Sequence, residues 1–312
     1  MDNPVRGQRR GVRMRSAGAV DQQIFTTQNL RTRGYTHDMI RRACADGSLV
    51  RLRRGRFRRP RVSDGQPLDA WPTDEAEHLH RLLLYSALPL ALGTVASHQT
   101  AAILHGLPVP ARELGVLAML RPGAGQGYCS RTRRLRQAHL PDTEVVDLSG
   151  IAATSFSRTV LDLARTLPFP DAVAVTDAAL RRDPDAAESV RADLLGRLRQ
   201  RRHHGNPAAR RAVLFADPRA ESPGESRCRA TFELAGIPIP RLQLTLQVNG
   251  EFVARTDFGW EEHRVVGEYD GRQKYGSDPG AVLTREKARE DRIRELGWRM
   301  IRFVSADLRD PD

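Results

Sequence analysis

Between residues 21 and 62 apolar positions come in short amphipathic runs bracketed by caps. In FTTQNLRTRG, Thr26 is placed as an N-cap and Gly34 as a stop, and in YTHDMIRRACADG, Thr36 and Gly47 repeat the arrangement. Two short helices joined by a tight turn follow from that spacing. In the second, Ile40 and Ala43 face inward, leaving His37, Asp38, Arg41 and Arg42 on the outer side. SLVRLRRGRFRR then alternates Leu49, Arg51 and Arg53 on one face with Val50, Leu52 and Arg54 on the other, with a turn at Gly55. That is the pattern of a hairpin, so the unit reads as a winged helix-turn-helix.

From about 74 to 200 the chain is rich in Ala and Leu at helical spacing, and a mainly α region is expected. DEAEHLHRLLLYSALP reads as a helix, VASHQTAAILHGLPVP as a helix opened by Ser97 and closed by Gly106 and Pro108, and GIAATSFSRTVLDLARTLP as a strand end leading into a helix packed through Val160, Leu161 and Ala164. His98 and His105 could share a helix face, but no carboxylate stands at matching spacing. They read as core or surface histidines rather than metal ligands. Prolines, charges and small residues surround VRADLLGRLRQ, and the last domain is placed after about Pro218.

The pattern changes again over the last stretch. A helix over SPGESRCRATFELAGIP precedes two alternating strands that turn at Asn249 and Gly250, and HRVVGEYDG supplies a third. A charged helix with Ile293 and Leu296 inward, a stop at Gly297 and the strand WRMIRFV complete the order helix, three strands, helix, strand. Such an order suits an α/β sandwich around a mixed sheet. The expected divisions are a basic arm without fixed structure over 1–20, a winged helix over 21–62, a middle domain over 74–200 and an α/β domain over 219–312.

Charge narrows the choice of partner. The 312 residues carry 50 basic and 38 acidic side chains, a net charge of +12, with an isoelectric point near 10.7. A polyanion is the expected partner, nucleic acid before a membrane surface. Arg53, Arg54, Arg56, Arg58 and Arg59 would offer the wing to backbone phosphates, while His37, Arg41 and Arg42 would enter a groove of double-stranded DNA. The three cysteines, Cys44, Cys129 and Cys228, are widely separated. This fits a reducing cytoplasm better than a disulfide framework. The N-terminus lacks the apolar core of a signal peptide, and no run is long enough to span a bilayer.

Candidate chemistry gathers near the C-terminus. Strand alternation puts Glu268 and Asp270 on one face, and Asp257 on the neighbouring strand could complete a carboxylate cluster. Crowded acids call for a cation, so the cluster is either a Mg²⁺ (or Mn²⁺) site or a set of solvated strand-end acids. Glu225, three residues after Ser222, is either half of a capping box or a fourth member of the site. Only two of the 50 basic residues are lysines, Lys274 and Lys287.

Two resemblances add to this reading. The stretch FTTQNLRTRGYTHDMIRRACADGSLVRLRRGRFRRP resembles the N-terminal winged helix of the AbiEi family, antitoxins of type IV toxin-antitoxin systems, through Gly47, Leu49, Arg51, Leu52, Arg53, Arg54, Gly55 and Phe57. SHQTAAILHGL and TSFSRTVLDLA resemble further motifs of the same family. Over roughly the last 90 residues, Glu225, Asp257, the E-x-D-G of Glu268, Asp270 and Gly271, and REDRIRELGWRMIRF resemble the very short patch repair (Vsr)-like endonucleases of the PD-(D/E)XK superfamily.

The second resemblance implies a restriction-endonuclease-like sandwich in which Asp257, Glu268 and Glu225 hold the metal and DNA phosphodiesters are hydrolysed. Where the superfamily's E-x-K places lysine, this chain has Asp270. Lys274, or Lys287 on the following helix, would then supply the ammonium that orients water, a task suited to a compact, mobile charge. The first resemblance implies an alternative: an antitoxin or autoregulator with a catalytically inactive nuclease fold and a cognate toxin protein as partner.

Overall fold

The computed structural model describes residues 24–59, 74–271 and 279–308. The chain divides into two compact units, one of residues 1–66 with 78–89 and the other of 67–77 with 90–312.

In the first unit β1 (Phe25–Thr26) leads into α1 (Thr27–Thr32) and α2 (His37–Ala45), followed by β2 (Val50–Arg53) and β3 (Arg56–Arg58). Both caps form as the sequence predicts. Thr26 Oγ1 accepts from the Asn29 amide at 2.9 Å while Asn29 Oδ1 accepts from the Thr26 amide at 3.0 Å, and Thr36 Oγ1 accepts from the Met39 amide. Gly34 and Gly47 end the helices at positive φ, 85° and 81°, backbone that glycine adopts at no steric cost. The strands form an antiparallel sheet in the order β1-β3-β2. Leu30, Ile40, Ala43, Leu49 and Phe57 make the core.

The pairing of β2 with β3 shifts register between Arg51 and Arg53. Leu49 and Leu52, which fall on opposite faces of a regular strand, are both buried, at 6 % and 8 % exposure, and Leu49 belongs to the core with Phe57. The helix α3 (Asp74–Ser86) follows.

The second unit opens with β4 (Val95–Ala96), α4 (His98–His105), β5 (Leu117–Pro122), β6 (Tyr128–Cys129), β7 (Arg133–Ala138), β8 (Val145–Asp147) and β9 (Ala152–Thr154). These strands form one mixed sheet in the order β6-β7-β5-β4-β9-β8, an addition to the helices that the sequence pattern predicts. The helices α5 (Phe156–Thr166), α6 (Phe169–Arg181), α7 (Ala187–Gln200) and α8 (Asn206–Phe215) come next. They share a core with α4 through Ile103, Val160, Leu163, Val173, Leu194 and Val213.

Then α9 (Pro223–Leu234) leads to β10 (Arg241–Val248), β11 (Glu251–Trp260) and β12 (Val265–Asp270), and α10 (Pro279–Glu295) crosses over to β13 (Arg299–Val304). The sheet order is β10-β11-β12-β13, antiparallel except for the parallel pair β12–β13. A parallel pair needs a crossover, and α10 supplies it.

The boundary expected near Pro218 lies inside one compact unit. Asp177 on α6 and Arg229 on α9, at 0 % and 4 % exposure, form a buried ion pair at 2.9 Å. Arg229 also donates to the Phe215 carbonyl, and Asp177 accepts from the Asp217 amide. Residues 90–200 and 219–312 therefore lie in the same compact unit.

Candidate functional site

Of the acids predicted from strand alternation, Asp257 and Glu268 come level with each other, while Asp270 is paired with Arg302. The register places Phe258 opposite Gly267, so Asp257 comes level with Glu268 across the β11–β12 pair. Asp257 Oδ2 accepts from the Tyr269 amide at 2.9 Å. Burial and the nearby charge of Glu225, with smaller contributions from Glu268 and Glu221, push its carboxyl up to about 6, against the lowering effect of that hydrogen bond.

Glu225 reaches this place from the first turn of α9, where it is buried at 6 % exposure. Half of the anticipated capping box forms: Ser222 Oγ accepts from the Glu225 amide at 3.2 Å. The Glu225 carboxylate does not return to the Ser222 amide. Its Oε2 accepts from the Glu221 amide and from Gln243 Nε2, both at 2.9 Å. Gln243, unforeseen in the sequence, lies within β10 with a left-handed φ of 54°, a conformation that costs a non-glycine residue about 1 kcal/mol. This turn accompanies the amide contact with Glu225.

Glu268 and Asp270 have partners of their own. Arg289 of α10 forms an ion pair with Glu268 through the same Nη2 that donates to the Arg255 carbonyl at 2.8 Å. Arg302 of β13 stands 3.4 Å from Asp270 and pairs with Glu286 and Glu290 as well. These arginines were not singled out in the sequence, where they merge into a charged helix and strand. Lys274 lies outside the described residues. Lys287 is an exposed residue of α10.

Among the described residues no three His, Cys, Asp or Glu side chains converge to hold a metal ion as they stand. The donor chemistry at Asp257 and Glu225 nevertheless suits a hard divalent cation, because Mg²⁺ is commonly held by one or two carboxylates together with water and phosphate oxygens. Burial first, and then the charge of Glu225, raise the Asp257 carboxyl there. Glu268, balanced by Arg289, would join only by exchanging that partner.

In the first unit His37, Arg41 and Arg42 lie exposed on α2, with Arg41 in a surface pair with Asp38 at 2.9 Å. Arg54 and Arg59 are exposed and Arg56 is half-buried. Two of the wing arginines face elsewhere. Arg58 is buried at 4 % exposure, its Nη1 donating to the Arg59 carbonyl, because β3 turns it inward. Arg53 Nε donates to the Ser86 carbonyl at 2.5 Å.

The two histidines of the middle region are engaged by their surroundings. His98 Nε2 lies 3.0 Å from Arg136 Nη1 and its Nδ1 3.1 Å from Ser97 Oγ. Burial brings its pKa down to about 4, so the ring is neutral and accepts from the arginine. His105 Nε2 donates to the Thr154 carbonyl. No helix among the described residues is long and apolar enough to cross a membrane.

No family model matches the chain. A crystal structure of the RV2827C protein from Mycobacterium tuberculosis is similar at a TM-score of 0.36 and 15% identity, covering 75% of this chain and 87% of that one. Two sequences from Mycobacterium tuberculosis, Uncharacterized protein MT2308 of strain CDC 1551 and Uncharacterized protein Rv2248 of strain H37Rv, are each 32% identical over 254 residues, which is 80% of this chain and 89% of theirs. The chain belongs to the family of these two proteins.

Proposed function

We propose that this protein binds double-stranded DNA through a winged-helix N-terminal unit and carries, in its last α/β segment, a Mg²⁺-dependent endonuclease site of the Vsr-like kind. The observation that carries the reading is the strand register that brings the half-buried Asp257 level with Glu268, with Glu225 near enough for its charge to help raise the Asp257 carboxyl. Perturbed acids gathered in one place are a mark of functional sites. Its setting, a helix, three antiparallel strands, a crossover helix and a parallel fourth strand, agrees with the resemblance.

In this reading Asp257 and Glu225 hold Mg²⁺ or Mn²⁺, Gln243 fixes the Glu225 carboxylate, and the Tyr269 amide fixes Asp257. The ion would supply Lewis-acid stabilisation of charge on the phosphate oxygens. Around the duplex, His37, Arg41 and Arg42 face a groove, while Arg54, Arg56 and Arg59 face phosphates.

The test is nicking of supercoiled plasmid by the purified chain with Mg²⁺, Mn²⁺ or EDTA, beside Asp257→Ala. Metal-dependent nicking that disappears in the variant supports the nuclease. Nicking that persists in the variant, or that EDTA leaves intact, sinks it. A second reading is favoured by the ion pairs Arg289–Glu268 and Arg302–Asp270, which already balance two of the acids. In that reading the chain is an AbiEi-type antitoxin or autoregulator with an inactive nuclease fold and a cognate toxin partner. Duplex binding without cleavage, under every metal tried, favours it.

A further inference from the structure

Between Glu113 and Asp142 the sequence holds no acidic residue but five arginines, Arg121, Arg131, Arg133, Arg134 and Arg136. Exposed arginines elsewhere in the second unit commonly have a carboxylate beside them, as in Arg219–Asp217, Arg241–Glu261, Arg255–Glu221 and Arg294–Glu290. The arginines of this stretch form no such pair among the described residues. Arg136 is turned to a neutral histidine, and Arg121 to the Thr94 hydroxyl. Arg131 and Arg134 are exposed and Arg133 half-buried, so their charge faces water without compensation.

The topology puts them at a margin of the molecule's larger sheet. β6 is the outermost strand and β7 lies next to it. The link is fixed: the Ser130 amide donates to the Arg133 carbonyl at 2.8 Å, and the Arg133 amide donates to Ser130 Oγ at 3.2 Å. Successive residues of a strand point to opposite faces. Arg133 therefore lies on one face of the sheet with Leu135 and its partner Tyr128, and Arg134 on the other with its partner Cys129. Arg131 sits at the tip between them. The result is a rigid sheet edge with guanidinium groups on both sides.

We propose that the β6–β7 edge is a second DNA-binding surface, which seats along the major groove of a duplex with Arg133 and Arg134 reaching the phosphate rows on either side and Arg131 at the tip. A sheet with its side chains is about 10 Å thick, matching a major groove about 12 Å wide and exceeding a minor groove of about 6 Å. The deep, narrow major groove of duplex RNA does not admit it. The surface belongs to the second unit and shares no residue with the N-terminal unit or with the acids around Asp257.

The experiment is binding of the full chain to a mixed-sequence DNA duplex, followed by fluorescence anisotropy across a salt series. Arg131→Gln/Arg133→Gln/Arg134→Gln is compared with Arg54→Gln/Arg59→Gln in the N-terminal unit. Each phosphate contact removed lowers the slope of log K against log salt by about 1, so the edge variant is expected to lose about 2 to 3 from the slope of the parent chain. An unchanged slope overturns the proposal, as does equal displacement by an RNA duplex or an absence of DNA binding at low salt. The Arg54/Arg59 variant reports on the N-terminal reading alone, so the two can fail separately.

Should the triple variant not fold, the unaltered chain supplies a second readout. Cys129 is exposed at this edge whereas Cys44 is half-buried and Cys228 buried. Saturating duplex is expected to slow alkylation of Cys129, read residue by residue by mass spectrometry. Equal rates with and without DNA overturn the proposal.

Discussion

Asp257 Oδ2 accepts a hydrogen bond from the backbone amide of Tyr269 at 2.9 Å, which ties the acid of one strand to the strand that bears Glu268 and Asp270. The bond lowers the Asp257 pKa, yet burial and Glu225 prevail and hold it near 6. The folded pKa exceeds the ordinary 3.8, so the protonated form is favoured by folding. The corresponding stability is fully present below about pH 4 and is lost as pH rises through about 6.

Asp257→Asn removes that titration while keeping an oxygen to accept from Tyr269. Urea unfolding of the variant is expected to match the parent near pH 4 and to exceed it by about 2–3 kcal/mol near pH 8, as the rise from 3.8 to about 6 implies once the partial exposure of the group is allowed for. An unchanged difference between the two chains across this range would refute the charge crowding.

Arg289 should limit that crowding, since it balances Glu268. Arg289→Ala leaves the Glu268 charge uncompensated beside Asp257, and loss of a neighbouring cation raises carboxyl pKa values. Carboxyl-carbon NMR titration is expected to move the Asp257 midpoint above about 6, and a midpoint that stays or falls would show that the pair is electrostatically isolated from Asp257.

Gly224 predicts a steric route to the same site. A Cβ there would lie 1.9 Å from the Tyr269 ring, which is further held by a 2.7 Å hydrogen bond between its hydroxyl and Ser305 Oγ. Gly224→Ala is expected to cost about 1–3 kcal/mol by overpacking, measured by urea unfolding. It should also displace Tyr269 and alter the Asp257 titration. Gly224→Ala unfolding like the parent would mean that α9 and β12 part easily.

Much of this site could be read from residue pattern because it depends on short-range rules. Alternation aligned Glu268 with Asp270, the Asn249–Gly250 turn registered β10 on β11, and a glycine stop at 297 ended α10. What the pattern hid was long-range. Arg289 and Arg302 meet their acids only after α10 has crossed over, and Gln243 looks like any strand residue, with nothing in the pattern to mark its left-handed φ. The six-stranded sheet escaped for a related reason. β4 and β6 are two residues each, and β5 is buried on both faces through Leu117, Ala118, Met119 and Leu120, so it shows no alternation and reads as a helix segment. In the N-terminal unit the caps were legible, but the irregularity in β2 and the inward turn of Arg58 depend on how the strands pair.

Asp177 and Arg229 tie together the segments on either side of Pro218. Proline and charge in that stretch suggest a boundary, but Asp177 accepts from Arg229 across it and from the Asp217 amide at its edge. Arg229 is stacked against Phe215 at 4.3 Å, so both charges are enclosed. Replacing one member of such a pair leaves an uncompensated buried charge, a loss of about 3–5 kcal/mol. Asp177→Ala is expected to show that loss in urea unfolding, with helices and the α9 segment unfolding together. Asp177→Ala/Arg229→Met should recover most of it, because the stranded guanidinium is gone and the methionine fills its volume. A double variant no more stable than Asp177→Ala would assign the loss to the hydrogen bond with Asp217 rather than to the buried charge.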